Sequence, residues 1–239
     1  MNATMPSMAP IGVLCFLGTA FVLVVVALLG LYGLFAKSRQ LVGIAGTGAG
    51  IVLASYTAIL LGFSLLSSDV DLRLGMKKYF CEIDCHLAYQ VASVTTEEAV
   101  GGKSEQIVSD GEFVQVELRT WFDPSTISTK RGDGPLRPNT REAILVDSLG
   151  HRFWPSAKAK EVLEAQRLNS TPLSTPLRPG ESYTSYLVFE VPAKAQGLKL
   201  RLRSDDEVGM LLWGNERSPL HGKVRFRLDS ALPANQSSL

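Results

Sequence analysis

Acidic residues are missing from the first 68 positions of the chain, and basic ones occur there only as Lys37 and Arg39. What remains is two uncharged runs, residues 11–36 and 41–68, joined by Lys37-Ser38-Arg39-Gln40. Because a bilayer core about 30 Å thick takes roughly 20 apolar residues of helix, each run is long enough to cross it with some tilt. The sequence therefore predicts an α-helical transmembrane hairpin over residues 1–68, with spans at about 11–36 and 41–66. The basic n-region of a cleavable signal peptide is missing too, since residues 1–10 carry no charged side chain.

Catalytic signatures are equally scarce. There is no Gly-x-Ser-x-Gly elbow and no His-Glu-x-x-His pair, and Asp205-Asp206-Glu207 reads as a solvated turn. Gly46-Thr47-Gly48-Ala49-Gly50 lacks the lysine of a phosphate cradle and falls inside the second apolar run. Arg131-Gly132-Asp133 matches an adhesion tripeptide of a kind that arises often by chance. With Lys37 and Arg39 set aside, 22 of the 24 basic residues stand against 23 acidic ones after Ser68, a balance that points away from nucleic acid.

The positive-inside bias acts on Lys37 and Arg39 in the short connection, holding that turn in the cytoplasm. Both termini and the C-terminal domain are then outside it, which makes a bacterial inner membrane the expected location. Arg73, Lys77 and Lys78, just past the second run, pull the other way. Within that run Gly46, Gly50, Ala54, Ala58 and Gly62 recur every four residues and make one stripe of small side chains. Such stripes let helix backbones approach in lipid, either against the first helix of the same chain or against a membrane protein partner.

Residues 69–78 read as a juxtamembrane linker, 79–229 as one folded domain and 230–239 as a flexible tail. Period-two alternation marks strands: Val114, Val116 and Leu118 alternate with Gln115, Glu117 and Arg119, and Leu198, Leu200 and Leu202 with Lys199, Arg201 and Arg203. Further strands are expected over residues 79–94, 142–147, 151–154, 182–191, 208–213 and 223–228, and one helix over 156–167 with Ser156 as its N-cap. Ser109-Asp110-Gly111, Arg131-Gly132-Asp133-Gly134, Ser148-Leu149-Gly150 and Leu177-Arg178-Pro179-Gly180 supply turn chemistry. Short strands with such punctuation argue for an all-β, immunoglobulin-like antiparallel β-sandwich with one short helix.

Asp110-Gly111-Glu112-Phe113-Val114, and Leu177-Arg178-Pro179-Gly180-Glu181 leading into Leu187-Val188-Phe189-Glu190-Val191-Pro192, carry a resemblance. Over roughly residues 79–228 the chain resembles the bacterial extracellular immunoglobulin-like domains sometimes labelled telomeric-repeat-binding-factor-like. The resemblance implies a β-sandwich on a membrane or lipid anchor and implies no active site.

Cys81-Glu82-Ile83-Asp84-Cys85-His86 is the one segment with metal-ligand chemistry. Cys81, Cys85 and His86 are soft ligands suited to copper or zinc. The layout is also similar to subunit two of cytochrome oxidase, although here the motif opens the domain, Tyr89 stands four residues after the second cysteine, and no methionine follows. In a single extended strand Cys81, Ile83, Cys85, Leu87 and Tyr89 share one face, as structural thiols of a half-buried strand would, and the two Cα atoms are ~13 Å apart, so that a disulfide needs the segment to bulge or coil. Cys15 lies within the first run, and His151 and His221 sit beside glycine turns.

Lys199, Arg201 and Arg203 alternate along one strand, and Lys223, Arg225 and Arg227 along the last. Side by side they would form a basic face for anionic lipid headgroups or an acidic partner, unless carboxylates interleave. The expected protein is thus a membrane-anchored binding or scaffolding module without catalysis and without a cofactor. The competing class is a copper-binding or redox protein using Cys81, Cys85 and His86.

Overall fold

The computed structural model describes residues 9–82, 85–102, 105–165, 170–205 and 208–228. By contact the described residues divide into two units, one built on residues within 69–205 and on 223–228, the other on residues 9–68 and 208–222.

In the second unit, α1 (Ala9–Phe35) and α2 (Arg39–Leu66) pack as a hairpin. α1 ends in a left-handed cap: Lys37 has φ 52°, and Ser38 N–H donates to the Gly33 carbonyl. Ser38 is also the N-cap of α2, its hydroxyl accepting from Leu41 N–H, so the charged connection is closed by its own polar groups. Both helices are long and apolar enough to cross a membrane. Leu14, Phe21, Leu28 and Phe35 of α1 are exposed, and the buried residues of α2 are Ala45, Leu60 and Ser64.

Helix contact runs through small residues other than the expected stripe. A Cβ on Gly30 would touch Ala45 at 3.4 Å, and one on Gly33 would press on Leu41 at 3.0 Å. Gly46, Gly50 and Gly62 have no atom within 4 Å of where a Cβ would stand, and Ala54 and Ala58 are exposed. The stripe therefore faces away from α1, which rules out the same-chain packing that the sequence left open.

Among the described residues the first unit is a β-sandwich with nine strands: β1 (Val70–Leu72), β2 (Lys77–Glu82), β3 (Cys85–Gly102), β4 (Glu105–Phe122), β5 (Arg141–Val146), β6 (Arg152–Phe153), β7 (Ser182–Val191), β8 (Lys199–Ser204) and β9 (Val224–Arg227). One sheet has the order β2-β3-β4-β7 and the other β1-β9-β8-β5-β6. Leu87, Tyr89, Val91, Val116, Leu118 and Phe189 of the first sheet meet Leu145, Leu200, Leu202 and Phe226 of the second in one core. A short helix, α3 (Ala157–Ala165), is capped by the Ser156 hydroxyl and buries Ala159.

The expected antiparallel sandwich is present, with four local differences. The linker contains β1, which pairs in parallel with β9. The segment read as one strand over residues 79–94 is two strands in a hairpin. Ser109-Asp110-Gly111 lies inside β4, where pairing jumps from Glu97↔Phe113 to Ala99↔Val108, so the turn chemistry makes a bulge. Gly111 is required there, since a Cβ would collide with the Val191 carbonyl oxygen. Finally, residues 208–213 form no strand: Val208–Leu211 is a 3-10 turn grouped with the helices.

Candidate functional site

The β2–β3 hairpin carries the residues singled out for metal chemistry. Cys81 lies opposite His86, and Glu82 opposite Cys85. The turn inverts the side-chain parity expected for one continuous strand, so Cys81 shares a face with His86 and not with Leu87 and Tyr89. Cross-strand partners are about 4.5–5.5 Å apart at Cβ, which makes Cys81 and His86 neighbours. The two cysteines are not cross-strand partners; Ile83, Asp84 and the Cys85 side chain lie outside the described residues.

A polar frame holds this end of β3. His86 N–H donates to Thr126 Oγ1 at 2.9 Å, and Asp123 N–H donates to the His86 carbonyl. Asp123 is buried; its Oδ1 accepts from Ser125 N–H and hydroxyl, and its Oδ2 accepts from the Tyr79 hydroxyl at 2.8 Å. The Tyr79 and His86 rings meet edge to face, 6.3 Å between centroids. Burial, reinforced by the Asp123 carboxylate, pushes the Tyr79 hydroxyl up to about 12. Burial also lowers the His86 pKa, against the pull of the Asp123 charge. For Asp123 burial acts upward, but the Ser125 and Tyr79 hydrogen bonds and the Lys77 charge outweigh it and lower the pKa.

His86 Nδ1 is buried without a hydrogen-bond partner. Among the described residues no three His, Cys, Asp or Glu side chains converge on a point where a metal could sit. Cys81 and His86 supply a soft pair, short of the three or four protein donors usual for copper and zinc. Sequence reasoning missed Tyr79, Asp123 and Thr126. The signal for the last two was the Asp123-Pro124-Ser125-Thr126 string, whose side chains favour turns that bond their own backbone.

The second candidate surface is the outer face of the β1-β9-β8-β5-β6 sheet. β8 and β9 are antiparallel neighbours with Lys199 opposite Arg227, so the two cationic strands are contiguous. Carboxylates interleave among them. Asp71 pairs with Lys199 at 2.6 Å, Asp69 with Arg225 at 2.9 Å, and Glu142 with Arg203. Cross-strand register dictates the last of these pairs, since Glu142 is opposite Arg203, whereas Asp71 is opposite Arg225 and reaches across β9 to Lys199. The face formed by Lys199, Arg201, Arg203, Lys223, Arg225 and Arg227 is therefore mixed in charge, a correction to the basic surface expected from the strands alone. The acids responsible come from β5 and from the segment read as a linker, while Glu117 and Glu190 accept from Ser93 and Ser109 on the other sheet.

Lys78 takes an unexpected place. It is 3% exposed, and its Nζ donates to the Leu202 carbonyl at 2.6 Å, reaching from one sheet of the sandwich to the other. Lys77 lies over the Trp121 ring, 3.7 Å from its centroid.

No family model matches the chain, and no curated protein matches it. Solved structures give distant likenesses. A conserved hypothetical protein from Bacillus anthracis is 18% identical over 54% of this chain and 88% of its own, with a TM-score of 0.40. A secreted protein from Mycobacterium tuberculosis is 10% identical over 66% of this chain and 97% of its own, with a TM-score of 0.41. An uncharacterized β-sandwich protein from Clostridium difficile is 7% identical over 68% of this chain and 95% of its own, with a TM-score of 0.39. At such identities and scores none assigns a ligand or a reaction to the present chain.

Proposed function

We propose that the chain is a membrane-anchored module that holds its β-sandwich outside the cytoplasm of a bacterium and works by binding or scaffolding, without catalysis. The observation that carries this reading is the surface of α1 and α2, where long apolar side chains point outward along both helices. A soluble core helix would bury that surface, and water would penalise it by about 25 cal/mol for each Å². Lipid is the solvent that such helices suit.

Orientation follows from charge. Lys37 and Arg39 remain in the helix connection, while Lys78 is committed to the sandwich interior and Lys77 to Trp121. Two of the three cations that opposed the positive-inside reading thus have other work. The cleft beside β7, about 250 Å³, has Lys160 and Tyr186 as its titratable side chains among the described residues. An extracellular immunoglobulin-like domain of the kind described above fits these features.

Alkaline phosphatase fused after Asp229 tests the reading, because that enzyme needs an oxidising exterior. An active fusion on a chain that resists carbonate extraction is the expected result. A silent fusion, with a cytoplasmic reporter active at the same site, overturns the orientation. The pairing of Cys81 with His86 favours a second reading, a copper or redox site. Metal analysis of the full chain purified without chelators separates the two: one copper per chain, lost in Cys81→Ser, would put the second reading first.

A further inference from the structure

Residues 208–222, between β8 and β9 in sequence, belong to the same unit as the two helices. We propose that residues 208–222 are a third membrane element, a loop that enters the outer leaflet beside the helix hairpin with lipid acyl chains as its partner. This inference rests on the membrane-anchored reading above.

The loop is fixed to the helices by aromatic and backbone contacts. Trp213 has its ring 5.3 Å from that of Tyr56 and stacked 6.1 Å from that of Phe63. Tyr56 hydroxyl donates to the Leu211 carbonyl at 2.5 Å. A Cβ on Gly12 would stand 2.7 Å from the Trp213 carbonyl oxygen, so glycine at that position of α1 admits the loop backbone.

Depth follows from helix geometry. At about 1.5 Å per residue, Phe63 is ~4.5 Å and Tyr56 ~15 Å from the Leu66 end of α2. The 28 residues of α2 span about 42 Å, roughly 12 Å more than a hydrocarbon core, so the contacts run from the headgroup level into the upper acyl region. Tryptophan and tyrosine are the residues that favour this boundary.

Two properties of the loop match such a place. Val208, Met210, Leu211 and Leu220 are 52%, 47%, 48% and 69% exposed, although they belong to the same unit as the helices. In addition the loop bonds its own backbone. Successive turns join Leu212 N–H to Gly209, Asn215 to Leu212, Ser218 to Asn215 and His221 to Ser218. The Ser218 hydroxyl donates to the Leu212 carbonyl, and Gly222 N–H donates to Ser67 Oγ. Irregular backbone at membrane depth is tolerated where protein covers it, and here the backbone at Leu211 and Trp213 lies against Tyr56 and Gly12 of the helices while apolar side chains face outward.

The test uses the full chain in lipid nanodiscs. A nitroxide is placed on Met210→Cys or on Val208→Cys, with Cys15, Cys81 and Cys85 changed to alanine. Leu149→Cys, 81% exposed on the sandwich, serves as the water control, and Val24→Cys as the mid-helix control. The expected label is reached by oxygen, shielded from a water-soluble nickel chelate, and shallower than position 24. In an unaltered loop, Trp213 fluorescence, isolated by Trp121→Phe and Trp154→Phe, should be quenched by lipids brominated near the carbonyl end. Chelate access equal to that at position 149 would overturn the inference, and so would shielding from both reagents, which would mean a protein partner. If carbonate extracts the chain, the membrane reading fails with it; retention with a water-exposed loop sinks this inference alone.

Discussion

Replacing Tyr79 with phenylalanine removes one hydroxyl from the frame around His86 and leaves the ring in place. The hydroxyl donates to a buried carboxylate, Asp123, at 2.8 Å. A hydrogen bond to a charged group contributes about 1.5–3 kcal/mol, and its loss leaves Oδ2 of Asp123 short of a donor. The pH dependence carries a sharper signature. The folded-state pKa of Tyr79, raised from 10.0 to about 12, favours the neutral phenol, so its stability contribution is complete below pH 10 and is lost as pH rises towards 12. That loss amounts to about 2.7 kcal/mol for two units at roughly 1.36 kcal/mol each. The variant has no such group, and every other tyrosine is common to both proteins. Chemical unfolding of the full chain in detergent, followed by near-ultraviolet circular dichroism, should show the variant about 2 kcal/mol less stable at pH 8. The gap should then close between pH 10 and pH 12. A gap that stays constant over that window, or a variant that loses tyrosinate absorbance near pH 10 rather than towards pH 12, would refute the proposed Tyr79–Asp123 pair.

Three further outcomes follow from the geometry. Gly111→Ala should destabilise the sandwich by about 1–3 kcal/mol, the usual cost of forcing atoms into a filled site, because the obstacle is the Val191 backbone; a stability equal to wild type in the same unfolding assay would contradict the close approach. Asp71→Asn with Glu142→Gln should unmask Lys199 and Arg203, giving salt-dependent binding of anionic vesicles in flotation where the wild type shows little. Gly50→Leu should leave the α1–α2 hairpin intact by crosslinking, since open space lies around position 50, and should weaken any oligomer that uses the stripe; a disrupted hairpin would place the stripe inside it.

The helices and most strands were legible because their patterns are self-sufficient. An uncharged run of more than 20 residues has few alternatives to a membrane helix, and the alternation of residues 114–119 in β4 and 199–202 in β8 matches a face that a second sheet covers. The misread positions share a cause: local pattern was consistent with more than one pairing. Glu82-Ile83-Asp84-Cys85 contains no glycine, proline or asparagine, and its one turn-favouring residue, Asp84, also fits the polar face of a continuous strand; reversal there changed which residues share a face with Cys81. Residues 208–213 alternate like a strand, yet Leu211, Leu212 and Trp213 are consecutive and apolar, a composition that suits a loop lodged against helices better than an edge of a sheet.

Charge was the hardest feature to read, because its meaning depends on partners distant in sequence. Lys78 counted in the sequence as a juxtamembrane cation, and the fold makes it a buried donor to carbonyls of β8 and the start of β9. Lys199, Arg203 and Arg225 counted as a binding face, and carboxylates more than 55 residues away in sequence neutralise them through sheet register. Exposed pairs of this kind contribute about 0–1 kcal/mol each to stability. Their larger effect is on recognition, since a face of alternating signs attracts an anionic surface far less than a cationic one does. These strands therefore offer no strong attraction for an anionic surface, and it is the β2–β3 end, where Tyr79, Cys81, His86 and Asp123 gather, that has the greater concentration of chemistry.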